Sequence, residues 1–157
     1  MSLDHIKYAN LENAKPTATR KLFFSEKFGG TGGPIEFYIT LDGKKPKVFD
    51  PNEKPYITTN VGAVEDWTIE NRALETHAFH IHQIHFKVLE VVGKPAKDQD
   101  LRDTIEIPFW EGKGPYHSVK LRMDFRDPTI AGTFLFHCHI LLHEDLGMMH
   151  KILVKPK

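Results

Sequence analysis

The chain has 157 residues, the length of one domain, and 40% of them are hydrophobic, enough to fill one ordinary core. Lys plus Arg balances Asp plus Glu at 21 each, so no overall basic field attracts nucleic acid or anionic lipid, and no basic run does so locally. No apolar stretch approaches the roughly 20 residues of a membrane helix, and residues 1–10 lack the apolar core of a secretory signal, so the chain as given is expected to be soluble. Residues 1–19 are polar, show no sustained period, and read as an N-terminal arm or linker lying over something else; one domain over 20–157 follows. Runs rich in β-branched and aromatic residues at 21–25, 35–41, 64–70, 85–92, 103–107, 118–125, 133–137 and 150–154 are strand candidates. Turn chemistry separates them, as at Gly32-Gly33-Pro34, Asp42-Gly43, Asp50-Pro51-Asn52, Gly93-Lys94-Pro95 and Asp127-Pro128. With one helical turn at 140–146 and no long amphipathic helix, the pattern predicts an all-β sandwich or barrel.

The chain has one cysteine, Cys138, so no disulfide forms within it. Of ten histidines, His77, His80, His82, His85, His137, His139, His143 and His150 fall in two short windows. Imidazole, thiolate and thioether form a soft donor set suited to copper, and two His with one Cys and a weak axial Met is the set of a blue-copper electron-transfer site. His77, Cys138, His143 and Met148 supply it, the last three within one short loop.

Alternate residues of a strand point to opposite faces, so His80 shares a side with His82, and His137 with His139, while Cys138 and His77 point away from them. One pocket thus gathers His77 and Cys138, and a second surface gathers the other four. His85 has the parity of His77 but lies about 26 Å further along a straight strand, at about 3.3 Å per residue, and reads as structural or as a support to the ligands. Met149 adjoins Met148 but alternation turns it the other way. His5, His117 and His150 lack ligand spacing and read as ordinary polar positions, and Glu144 and Asp145 as solvated loop acids beside His143.

The stretch His77-Ala78-Phe79-His80-Ile81-His82 resembles the H-P-F-H-I-H pattern of multicopper oxidases, with Ala78 in place of the usual proline, and 137–148 matches their H-C-H-x3-H-x3-G-M signature. The likeness runs from about Val64 to the C-terminus, where Trp67-Thr68-Ile69-Glu70-Asn71 and Asp103-Thr104-Ile105 also resemble the family's last domain. It implies a cupredoxin-like Greek-key β-sandwich with His77, Cys138, His143 and Met148 at a type 1 copper, His80 as a type 2 ligand, and His82, His137 and His139 as type 3 ligands. It further implies a laccase-like oxidase in which a small reducing substrate gives up electrons singly at type 1 copper. These then pass through Cys138 to His137 and His139 and reduce dioxygen to water at a trinuclear copper cluster. A periplasmic or secreted location is expected on the same ground. The family's cluster needs a second pair of H-x-H motifs, which this sequence lacks, so another cupredoxin domain or subunit is expected to complete it and an isolated monomer to be inactive. Two other readings compete. A blue-copper electron carrier leaves the H-x-H pairs without a purpose, and a nitrite-reductase-like enzyme is disfavoured by His139.

Overall fold

In the computed structural model, which describes residues 8–97 and 100–157, the alternating runs form β1 (Ala18–Phe28), β2 (Ile35–Leu41), β3 (Ile57–Asn60), β4 (Ala63–Asn71), β5 (His77–Ile81), β6 (Phe86–Val91), β7 (Lys94–Pro95), β8 (Leu101–Arg102), β9 (Thr104–Ile107), β10 (His117–Phe125), β11 (Gly132–Cys138) and β12 (Met149–Lys155). A short helix, α1 (Leu141–Asp145), joins the last two strands. All eight predicted strand runs fall on strands, and the predicted helical turn is α1. The strands β3, β5, β7 and β8 are additions to the predicted runs, although β5 carries the first histidine window, whose parity was read as that of a strand.

A seven-stranded sheet runs β2-β1-β4-β10-β6-β7, with β8 also on β6, and faces a five-stranded sheet ordered β3-β12-β11-β5-β9. The pairs β1–β4 and β3–β12 are parallel and the remainder antiparallel. This is the all-β, cupredoxin-like sandwich the sequence predicts. Among the described residues no helix is long and apolar enough to cross a membrane.

Strand alternation builds the core between the sheets, since Leu22 and Phe24 of β1, Ile39 of β2, Leu121, Met123 and Phe125 of β10, and Phe136 and Cys138 of β11 are each buried on the inner face. Trp67 sits at its centre, 5.7 Å from Phe136, 6.3 Å from Phe79 and 6.4 Å from Phe125 between ring centroids. Its Nε1–H donates to Glu65 (2.8 Å), and Arg20 holds the same carboxylate through two bonds of 2.7 and 2.9 Å. A carboxylate buried this deeply is tolerable only because it is fully paired.

The outer face of the larger sheet is covered in part by residues 8–14. Tyr8 and Leu11 are buried against Val64, and Arg122 and Arg126 donate to the carbonyls of Glu12 (2.8 Å) and Ala9 (3.1 Å). Arg122 is itself clamped by Asp66 at 2.8 and 3.0 Å.

Candidate metal centres

The inward positions of β5 are His77, Phe79 and Ile81, so alternation drives His77 into the core at one end of the sandwich. Cys138 ends β11 with the inward parity of Phe134 and Phe136, and pairs with Phe79 across the ladder. The following loop is closed by its own backbone, with the N–H of Cys138 donating to the carbonyl of Met148 (3.0 Å) and the N–H of Met148 to that of His143 (2.9 Å). Gly147 makes that turn possible. Its φ is +90°, and a Cβ there would lie 2.6 Å from Val48 Cγ1.

The loop brings His143 and Met148 back over Cys138, and all four predicted type 1 residues are buried. The Nδ1 atoms of His77 and His143 lie 3.1 Å apart, and Cys138 Sγ lies 3.7 and 3.5 Å from them. Two imidazole nitrogens and one sulfur therefore converge on a point inside the fold, a donor set that suits a copper ion, with Met148 buried in the same core. Burial, then the neighbouring His143, lowers the His77 pKa to about 3, so its ring is neutral and able to ligate. Burial also raises the Cys138 thiol, against which the backbone of Ile140 and Ala78 favours the thiolate.

On the other face of the five-stranded sheet His80 stands directly across from His137. The ring centroids of His80 lie 5.1 Å from those of His82 and His137 and 4.9 Å from that of His139. Nitrogens of His80, His82 and His137 approach one another within 4.8 Å, and Nε2 of His82 is 3.1 Å from Nε2 of His137. His80 Nδ1–H donates to the Asp103 carbonyl (2.9 Å), and His137 Nδ1–H to the Cys138 carbonyl (2.9 Å), so both rings present Nε2 to the cluster. Burial holds His80 and His82 below the usual histidine range. His139 completes the patch as its exposed member. The structure thus brings His77 and Cys138 together on one side and His80, His82, His137 and His139 on the other, the grouping that strand parity gave, and the loop adds His143 to the first.

His85 joins neither group; it follows Gln83, whose φ of +66° bends the chain, and its Nδ1 lies 3.2 Å from Tyr8 Oη. Met149 turns away from the buried pocket and pairs with His137. His150, read as an ordinary polar position, is a buried ring stacked 3.9 Å from Tyr56, while His5 lies outside the described residues. Glu144, read as a solvated acid beside His143, instead lies with Oε2 3.5 Å from His137 Nδ1, while Asp145 is exposed. The acids at the outer edge of the buried pocket are Glu26, with Oε1 3.0 Å from His77 Nε2, and Glu75, with Oε1 3.0 Å from His143 Nε2. Sequence reasoning missed both, although an acid at the inward parity of Leu22 and Phe24 is a signal that could have revealed Glu26.

Comparison with known proteins agrees with this geometry. The family model described as multicopper oxidase matches residues 27–157. A multicopper oxidase of Staphylococcus aureus is 41% identical over 120 residues, covering 74% of this chain and 24% of that protein. A laccase of Bacillus subtilis is 30% identical over 112 residues, covering 59% of this chain and 20% of that protein. The solved multicopper oxidase from Campylobacter jejuni, a metallo-oxidase, superposes with a TM-score of 0.72 at 30% identity over 90% of this chain and 31% of its own. The chain therefore spans about a quarter of the length of such relatives. With the matched span reaching from β1 to the C-terminus and taking in both histidine groups, the chain belongs to the multicopper oxidase family.

Proposed function

We propose that this chain is the type 1 copper domain of a laccase-like oxidase, which takes electrons singly from a small reducing substrate and passes them to dioxygen, forming water, at a cluster completed by another cupredoxin domain or subunit. Copper, when bound, supplies the one-electron exchange. His77, Cys138 and His143, with the Met148 thioether, would hold the type 1 ion; His80 would serve a type 2 ion, and His82, His137 and His139 type 3 ions.

The observation that carries this reading is that β11 sets a sulfur donor on the core face and imidazoles on the outer face at successive residues, so one stretch of backbone belongs to both groups. Cys138 is bonded through its own main chain to His137 and His139, and the His137 ring is tied back to the Cys138 carbonyl at 2.9 Å. That is the bonded route for electrons between the two faces. His77 is wholly buried, whereas Glu75, beside His143, is 48% exposed on its side chain, which makes the His143 edge the approach for a reductant. The relatives' far greater length supports completion of the imidazole cluster from outside this segment.

The test is oxygen uptake by the copper-reconstituted, verified monomer supplied with an oxidisable phenol. We expect the phenol to bleach the bound type 1 copper once, without sustained uptake. No bleaching at all would overturn the electron-entry role. Sustained turnover abolished by His82→Ala or His139→Ala would show that one domain suffices, and activity confined to oligomers would place the missing ligands at a subunit interface.

A further inference from the structure

The inner face of the β1–β2 hairpin lies against both histidines of the buried pocket. Phe24 stacks on His77 with centroids 5.0 Å apart and planes at 22°, and Phe37 stacks on His143 at 4.2 Å and 21°. Glu26 pairs with Phe37 across the hairpin, and its Oε1 lies 3.0 Å from His77 Nε2. The Glu26 side chain is only 4% exposed, yet its partners are His77 and the Glu75 carboxyl, not a cation such as the arginine that neutralises Glu65. Phe24 and Glu26 also precede residue 27, where the match to the family model begins.

A histidine that offers Nδ1 to a metal carries its hydrogen on Nε2, and a buried N–H needs an acceptor. For His77, which is 0% exposed, water cannot serve, and Glu26 is the acceptor in reach. For His143 the acceptor is Glu75, whose side chain is 48% exposed, so water can take its place.

We propose that Glu26, Phe24 and Phe37 form a brace that positions the two histidines of the pocket, with Glu26 fixing the tautomer of His77 so that its Nδ1 faces Cys138. The inference rests on the type 1 reading of His77, Cys138 and His143. Glu26 acts through His77 and is a positioning residue. The brace is asymmetric: loss of the acceptor at Glu26 matters, and loss of the acceptor at Glu75 does not.

The experiment measures copper(II) affinity of the 157-residue chain by chelator competition, together with the thiolate-to-copper absorption, for wild type, Glu26→Leu, Glu26→Gln and Glu75→Leu. Glu26→Leu should weaken copper binding by about 10- to 100-fold, the usual cost of removing a ligand's hydrogen-bond partner. Glu26→Gln, whose amide oxygen still accepts, and Glu75→Leu should each stay within about threefold of wild type, on the same scale. Metal-free unfolding midpoints separate lost binding from lost folding. If Glu26→Leu does not fold, wild type alone decides by NMR of the cuprous form, where the His77 Nε2–H should be shielded from solvent exchange; exchange at the free rate overturns the brace. It also falls if Glu26→Leu binds like wild type or if Glu26→Gln is as impaired as Glu26→Leu. Absence of the thiolate absorption in wild type itself would overturn the type 1 reading, whereas its presence with unchanged Glu26 variants would overturn the brace alone.

Discussion

Gly147→Ala tests whether the ligand loop depends on a left-handed turn. At φ +90° an alanine costs about 1–2 kcal/mol relative to glycine. The new Cβ would also stand 2.6 Å from Val48 Cγ1, an overlap of the kind that costs about 1–3 kcal/mol when neighbours cannot move freely. Together these give a loss of about 3 kcal/mol, or about 6–12 °C in Tm for a chain of this size. The assay is urea and thermal unfolding of the metal-free protein, which isolates the backbone effect from ligand binding. Val48 is 38% exposed, so Val48→Ala alone should cost little, while in the double mutant it should restore about 1–2 kcal/mol by removing the overlap. Copper affinity should fall alongside, because His143 and Met148 ride on the same turn. A Gly147→Ala protein within about 0.5 kcal/mol of wild type, the range of an inconsequential surface change, would refute the reasoning. A double mutant showing no coupling would remove the steric part and leave only the backbone strain.

Met148→Leu should keep the blue colour and raise the type 1 reduction potential, because a weak donor is replaced by none; redox titration checks it, with colourless Cys138→Ser as the control, and an unchanged potential would count against an axial thioether. Glu65 is held below the usual glutamate range: burial opposes this, and hydrogen bonds from Arg20, Thr59 and Trp67 overcome it. Because the folded pKa is the lower one, the stabilisation is present above the unfolded glutamate value and is lost as pH falls through the folded value. Arg20→Met should abolish that acid-side dependence and cost about 3 kcal/mol at neutral pH by leaving a buried carboxylate half-paired, which unfolding across a pH series will show.

Strand positions were readable where β-branched and aromatic residues alternate over five or more positions, as in β2, β4 and β10. β3 escaped because its four residues, Ile57–Asn60, follow the turn-rich Pro51 to Pro55 stretch and pair only along β12. β7 and β8 have two residues each and no periodicity to detect. The two donor groups were legible because the spacing within each window is local: parity alone sorts His80 from Cys138, and Gly147 announces the turn that returns Met148. Glu26 and Glu75 were less so: inward parity marks Glu26 only as an acid turned toward the core, Glu75 stands two residues before His77 but meets His143, and only tertiary packing brings each carboxyl to its imidazole. Tyr8 and Leu11 were hidden for a related reason. Two apolar side chains in a polar segment show no period, yet they bury against Val64.

The alternation of β11 has a consequence for how the chain can change length. Sulfur inward and imidazoles outward is a binary code written by the pleat, so a single inserted residue between Gly132 and Cys138 would invert it. Cys138 would then emerge among the imidazoles while a histidine entered the apolar core, and neither group would keep its donor chemistry. Two inserted residues would restore the code but displace His137 from its place opposite His80 by about 7 Å, at roughly 3.4 Å per residue. The register thus tolerates substitution in this segment but not a change of length, which can be taken up in the connection before Gly132 or beyond Met148.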